Sequence, residues 1–490
     1  MTKQKIILTN VGFLPESPGG TEYYTLNLAQ ALLARGYDVL VIAALDDGRR
    51  KRYQVVPSEF EGVRAIKIVN SPFLARSYQE FFVDPAIDQI FKEILTEEKP
   101  DLIHFQHLAY LSGNLPEIAK EMGIPCLATL HDYWYLCYRT RLMRPSCGIC
   151  SGPEGGVHCA SCDDGVTPHP MSVSKYPQLV QFLRRPKIRQ YVAQTSKLIP
   201  QDLVSKSRTM LFQGNRNHQE VLAKPDPTTV SQNQFRHDYF RRQLQHPVQV
   251  LSPSEHLKHR YEQEGYRHID VVPLGFEPTE TLPALPYTAH TDKLRLAFVG
   301  VIEPHKGVQI VLQALASQPQ LTDKLELHIH GHAKDILFQA ELETLAQTLP
   351  KESVHFHGRY RSDQDLKRIF GQVHAVLFPS LWEENYPLVV REALLHGRPV
   401  IAANLGGVPE VIENGVNGLL FDPLQPEDFI SAIYSLIDQP SLLETLTIGA
   451  GHTKIETQTD HLNKLIALYE KALDTSKTPS SQVVTQTSTY

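Results

Sequence analysis

Two glutamates eight residues apart, Glu384 and Glu392 in EENYPLVVRE, are the first residues whose types and spacing suit chemistry. Eight steps of about 100° leave two side chains roughly 80° apart on an ideal helix, so a single helix would not aim both at one point. AVLFP (375–379) reads as a buried strand and SLWEENY as the loop at its carboxyl end. PLVVREALLH then reads as a helix opened by Pro387 and stopped by Gly397. Glu384 stands in the loop and Glu392 in the second helical turn, so the two can converge on one cleft from different elements. The alternatives are a salt bridge for Glu392, whose helical neighbours Leu388, Val389 and Leu395 are apolar, and a solvated or helix-capping role for Glu383 or Glu384.

A second constellation is CGICSGPEGGVHCASC, in which Cys147, Cys150, Cys159 and Cys162 stand as C-x2-C-x8-C-x2-C. Two such knuckles suit a structural, tetrahedral zinc, and free buried thiols are the alternative. Asp363 and Asp365 form a D-x-D, but SDQDLKRIF reads better as a helix capped by Ser362 and Asp363 than as a metal site. No nucleophile–base pair of the kind covalent catalysis requires stands out.

The elements that must position these residues follow from the apolar pattern. With 490 residues, 42% of them hydrophobic, the chain can build two or three domains with sizeable cores. A net charge of -6 with both signs mixed carries no nucleic-acid footprint. The longest apolar run, VLVIAAL (39–45), is too short to span a bilayer, and MTKQKIILTN lacks the apolar core of a signal peptide. A soluble cytoplasmic protein with reduced cysteines is expected. KIILTNV, a helix over TEYYTLNLAQALLAR, then DVLVIAA form a strand–helix–strand unit, and further strand-like runs follow at 63–69, 101–105, 125–130, 248–252 and 269–273. A second cycle starts with LRLAFVG (294–300) and continues through LELHIHG, VHFHG, AVLFP, PVIAA and GLLF. The expected class is α/β, with two Rossmann-like domains facing a central cleft. The first covers 1–275, with a Cys-rich insert at about 137–165, and a Pro/Thr-rich linker covers 276–293. The second covers 294–455, followed by a helix at 456–474 that docks on one of the domains and a disordered tail at 475–490. Ligands of such sheets bind outside the carboxyl ends of the strands.

PSLWEENYPLVVREA resembles the E-x7-E motif of the family 4 glycosyltransferases, which have the GT-B fold. PGGTEYYTLNLAQALLARGYDV, TLHDYW, LSPSEHLKHRYEQEGY, VVPLGFEP, FVGVIEPHKG and HGRPVIAANLGGVPEVIENGVNGLLF fall in the same order as that family's other motifs. The similarity covers about 1–45, 100–165 and 235–425. It implies a retaining hexosyltransferase that takes a UDP or GDP sugar as donor and needs no catalytic metal. Glu384 would bind hydroxyls of the transferred sugar and Glu392 the ribose. Gly19 and Gly20, ahead of a helix, would offer amides to the diphosphate, where an ordinary glycine turn is the alternative. Lys306 would be the counter-charge for the leaving diphosphate, where a solvated lysine is the alternative. Gly406 and Gly407 would lie near the donor. His131, beside Asp132, would contact the sugar or its phosphates; His104 and His107 are weaker candidates on the acceptor side. Val301 departs from the family, which often has Arg there as a phosphate clamp. The implied acceptor is a glycan or a lipid-linked glycan, with peripheral contact at the inner membrane face and no nucleic-acid partner. The competing readings are a nucleotide-sugar-binding protein without turnover and a GT-B epimerase.

Overall fold

The computed structural model describes residues 3–71, 74–144, 148–162, 227–277, 279–288, 292–333, 335–360 and 363–477. Short runs of β-branched and aliphatic residues form strands whose side chains are buried on both faces. This is the pattern of a parallel sheet covered by helices. The first sheet contains β1 (Lys5–Asn10), β2 (Asp38–Leu45), β3 (Val55–Phe60), β4 (Val63–Val69), β5 (Leu102–Phe105), β6 (Cys126–Thr129), β7 (Gln249–Ser252) and β8 (Ile269–Val271). Its order is β3-β4-β2-β1-β5-β6-β7-β8, and only the β3–β4 pair is antiparallel. The second contains β9 (Leu294–Val299), β10 (Leu325–His330), β11 (Val354–Gly358), β12 (Ala375–Phe378), β13 (Val400–Ala403) and β14 (Gly418–Phe421). Its order is β11-β10-β9-β12-β13-β14, parallel throughout.

Strand β3 was not expected from sequence. VVPSEF carries Pro57, which cannot donate to a ladder, and its burial merely alternates between exposed and half-buried. Both features suit an edge strand, where it lies. The D-x-D segment behaves as expected, with a helix beginning at Asp363, while Ser362 lies outside the described residues.

Each sheet is covered on both faces by apolar helix surface, and each has two packed cores. The helix Gly20–Ala34 covers one face of the first sheet. Beside it lies the C-terminal helix Gln458–Lys477, whose Leu462, Leu465, Tyr469 and Leu473 join that same core. The chain therefore returns from the second domain to the first. The two crossings touch: Phe276 and Thr457 form a β-bridge, and a Cβ at Gly275 would lie 2.5 Å from Thr457 O. The segment following Phe276 runs along the second domain, where Leu282 N donates to His396 O and Arg398 donates to Pro283 O. Residues 478–490, most of the expected tail, lie outside the described residues.

Candidate active site

In the second sheet β9 and β12 are adjacent, and the chain winds outward from them in opposite directions. Loops after such a pair flank the crevice that takes ligands in open α/β sheets. The loop after β9 carries Lys306 and the loop after β12 carries Glu384. Lys306 Nζ lies 2.5 Å from Glu384 Oε1, and Ser380 Oγ donates to the same oxygen at 3.2 Å. The backbone permits this closeness at one residue. Gly307 has φ +77°, and a Cβ there would lie 1.7 Å from Pro379 O, so a side chain would push the two loops apart. The ammonium also sits 5.7 Å from the Trp382 ring centre, in the range of a cation–π contact.

Glu392 lies in the helix Leu388–Leu395 and is half-buried. Tyr360 lies within electrostatic range of it: burial, and then the Glu392 charge, push the Tyr360 hydroxyl up to about 12. Gly406 and Gly407 do something the sequence reading did not anticipate. A Cβ at Gly406 would lie 2.4 Å from Glu384 O, one at Gly407 would lie 2.3 Å from Asn385 O, and Gly407 N donates to Glu384 O at 2.6 Å. These glycines brace the loop that holds Glu384.

Across the crevice, Gly19 is extended and the first helix starts at Gly20. A Cβ on Gly20 would lie 3.6 Å from Leu388 Cδ1, so the N-termini of the 15-residue helix Gly20–Ala34 and the eight-residue helix Leu388–Leu395, one per domain, come together. Both are sites that favour anions. Glu22 folds back over this turn: Ser17 Oγ donates to its carboxylate at 3.0 Å, and Glu22 Oε2 lies 2.5 Å from the position a Gly19 Cβ would take. That is the placement of the acid in a capping box, and it already supplies one negative charge to the helix start.

His131 sits at the carboxyl end of β6 with Nε2 2.8 Å from Gln106 Oε1, and its ring packs 5.0 Å from that of Tyr24. Burial, with His107 adding to it, lowers its pKa to about 3, so the ring is neutral at pH 7. His107 has a fixed tautomer: Nδ1 accepts from Ala109 N, so Nε2 carries the proton and donates to Asp132 Oδ2 at 3.2 Å. The other Asp132 oxygen accepts from Trp134 N. His104 is not at the crevice. It is fully buried between Thr129 Oγ1 and the Tyr469 hydroxyl, each at 2.7 Å, and it ties the C-terminal helix to the first sheet. Interior packing accounts for it.

Contacts between the domains surround the crevice. Asn385 Nδ2 donates to His131 O at 2.8 Å, Tyr133 Oη donates to Glu383 O at 3.1 Å, and Arg260 Nε pairs with Glu383 Oε2 at 3.2 Å. Glu410 accepts from the backbone amides of Glu255 and His256 at the start of the helix Glu255–Gln263. Burial pushes the Glu383 and Glu410 carboxyls up. Glu383 is thus an interdomain partner, neither solvated nor a helix cap. Only the doubled glutamate of EEN hinted at it, since its partner lies more than a hundred residues away in sequence.

Of the four cysteines in the double knuckle, Cys147 lies outside the described residues. Cys159 and Cys162 are buried in one core cluster with Cys150 packed against it. Cys137, which the spacing did not single out, joins them within electrostatic range of all three, and burial raises the thiols of Cys150, Cys159 and Cys162. Cys137, Cys150, Cys159 and Cys162 are free thiols. Among the described residues no three Cys, His, Asp or Glu side chains are arranged to hold a metal ion.

Two Rossmann-like domains that face a crevice, with the last helix returning to the first domain, make up the GT-B fold. The description "Glycosyl transferases group 1" matches residues 286–450, and "Glycosyltransferase Family 4" matches residues 18–151. The D-inositol 3-phosphate glycosyltransferase of Corynebacterium kroppenstedtii is 30% identical over 210 residues, 40% of this chain and 45% of that protein. The chain thus matches less than half the length of that relative. The enzyme of the same name from Rhodococcus jostii is 25% identical over 443 residues, 88% of this chain and 80% of that protein. Among solved structures, sucrose-phosphate synthase from Thermosynechococcus elongatus superposes with a TM-score of 0.61 at 17% identity, covering 96% of this chain and 100% of that one. Anabaena HepE in complex with UDP and glucose superposes with a TM-score of 0.57 at 16% identity, covering 95% and 99%. The chain belongs to the family 4 glycosyltransferases.

Proposed function

We propose that this protein transfers a hexosyl-type sugar from a UDP or GDP sugar to a glycan or lipid-linked acceptor, with retention at the anomeric carbon. The observation that carries this reading is the contact between Lys306 and Glu384 at the point where the second sheet's winding reverses, facing the Gly20 helix start. Glu384 accepts hydrogen bonds from hydroxyls of the transferred sugar, and Glu392 from the ribose diol. Lys306 takes the diphosphate, aided by the amides of Gly19, Gly20 and the start of the Leu388 helix. Donor binding gives each member of the Lys306–Glu384 pair a replacement partner, so the pair opens without leaving a bare buried charge.

In the transfer itself the C1–O bond to the diphosphate breaks and a bond from the acceptor hydroxyl to C1 forms on the same face. The acceptor proton passes to the departing phosphate oxygen, so no side chain need accept it. His131, neutral at pH 7, serves as a hydrogen-bonding contact to the sugar or phosphate and not as a cation. Gly406 acts indirectly, by bracing the Glu384 loop. HepE, whose structure was solved with UDP and glucose, supports a nucleotide-sugar donor. The relatives named for inositol phosphate place a phosphorylated polyol on the acceptor panel beside glycans and lipid-linked glycans. Among the described residues no helix is long and apolar enough to cross a membrane. A lipid-linked acceptor would be met by peripheral contact at the inner membrane face.

The test is release of nucleoside diphosphate from a panel of UDP, GDP and ADP sugars, with and without acceptors. One donor should be turned over by the wild type and at least about tenfold more slowly by Lys306→Ala. Binding of a nucleotide sugar with no turnover against any acceptor would favour the binding-protein reading instead.

A further inference from the structure

Among the described strands of the first sheet, Lys67 is the one lysine on the face that the helix Gly20–Ala34 covers. It lies on β4 in register with Ala43 of β2, which in turn pairs with Asn10 at the carboxyl end of β1. Its side chain is 1% exposed, in line along β4 with the buried Val63 and Ala65. An ammonium in such a place is costly to desolvate and persists only where acceptors meet it. The acceptors that meet it are both in the loop leaving β1. Lys67 Nζ donates to Leu14 O at 2.8 Å and to Glu16 Oε2 at 2.5 Å, and it lies 5.9 Å from the Phe13 ring centre.

That loop leads straight into the Gly19–Gly20 helix start. Phe13 and Leu14 are buried in the same core, Ser17 N donates to Phe13 O, and Ser17 Oγ donates to Glu22. The loop is thus tied at its start by the Lys67 ammonium and at its end by Glu22. An apolar side chain of equal length would fill the same space without desolvation cost, but it would leave Leu14 O without this donor.

We propose that Lys67 is a positioning residue for the donor diphosphate: by pinning Leu14 and Glu16 it holds the Gly19–Gly20 amides at the crevice, opposite Leu388. This rests on the reading of the crevice as the nucleotide-sugar site. Lys67 acts through the loop, from beneath it, and touches no substrate.

The substitution that tests it is Lys67→Met, which keeps the apolar stem and removes the ammonium. Two measurements are made on the full chain. The first is hydrogen exchange of the backbone amides from Gly12 to Tyr23, read by mass spectrometry without any ligand. The expected result is exchange at least tenfold faster across this segment, with β1, β2 and β4 unchanged. The second is titration with UDP and with GDP. For the one that binds the wild type, affinity should fall at least fivefold, and for the turned-over sugar KM should rise while kcat changes less than KM. Lys67→Met/Glu16→Gln should match Lys67→Met, because Glu16 acts only through the lysine. Unchanged exchange in Gly12 to Tyr23 would overturn the positioning role, whatever the activity. Faster exchange with KM and nucleotide affinity as in the wild type would overturn the link to the donor. Exchange that rises equally in β1, β2 and β4 would mark Lys67 as a general stabiliser of the sheet and overturn the proposal too. A wild type that binds neither nucleotide would remove the proposed function, while the exchange result would still read the loop.

Discussion

Removing Lys306 should cost stability as well as turnover, and the two losses separate its roles. Glu384 has 10% of its side chain exposed and Lys306 has 24%, with 2.5 Å between Nζ and Oε1. In Lys306→Ala the Ser380 hydroxyl still donates to that carboxylate oxygen. Breaking a buried pair by removing one partner costs about 3–5 kcal/mol, and the partly wet lysine places this pair near about 3 kcal/mol. For a domain of this size about 1 kcal/mol corresponds to about 2–4 °C in Tm, so the second domain should melt roughly 6–12 °C lower. Glu384→Gln should be milder, since it leaves an ammonium that can reach water. Lys306→Met/Glu384→Gln should recover most of the loss, because it removes both charges. The assay is differential scanning calorimetry of the three variants at pH 7.5, followed by turnover at a temperature where all are folded. Turnover of Lys306→Ala should remain down by at least about tenfold, about 1.4 kcal/mol, under those conditions. If Lys306→Ala melts with the wild type, or if the double substitution is as unstable as the single, the pair is not the buried contact described above.

Glu392→Gln should weaken nucleotide affinity by about 1.5–3 kcal/mol, the worth of a hydrogen bond to a charged group, while Glu384→Gln should impair transfer more than nucleotide binding; calorimetric titration with free UDP or GDP checks both. Gly307→Ala should slow turnover at least about tenfold by separating the Lys306 and Glu384 loops, whereas Gly62→Ala, at a comparable positive φ of +80° with open space around it, should leave turnover unchanged. Acid should destabilise the fold through its buried neutral histidines. Burial lowers His104 and His237 to about 3 and His461 to about 4, while in the unfolded chain they titrate near 6.5. Their contribution is complete above about pH 6.5 and declines as pH falls toward about 3–4, each group costing about 1.4 kcal/mol by pH 5.5. His104→Gln should therefore lose less Tm than the wild type between pH 7.5 and 5.5, and an equal loss in both would count against a buried neutral ring.

Sequence pattern was a good guide wherever chemistry follows one strand and its own loop. Lys306 after β9 and Glu384 after β12 were placed by that rule, because parallel strands end at a common edge and apolar runs mark strand ends well. Pattern was a poor guide wherever a residue's role depends on a partner far away in the chain. Glu383 looks like any loop carboxylate until Arg260 is seen beside it. Gly406 reads only as lying near the donor, and nothing in its own stretch shows that its backbone packs against Glu384. Cys137 lies outside the C-x2-C spacing and joins the thiols only because the chain folds back after TLHDYW. His104, a weaker candidate for the acceptor side, has Thr129 and Tyr469 meeting both its ring nitrogens in the interior. Lys67 gave no signal at all, since one lysine in a strand reads as a solvent-facing residue until its face of the sheet is known.

The central claim is cleavage of the donor at the sugar's anomeric carbon, and the label position after slow hydrolysis tests it without knowledge of the acceptor. The donor turned over in the panel would be incubated with the protein in water enriched in oxygen-18, and the products would be read by mass spectrometry. Sugar transfer predicts the label in the released sugar and none in the nucleoside diphosphate, with Lys306→Ala slowing its appearance. Label in the phosphate, from cleavage of a P–O bond, would contradict the account.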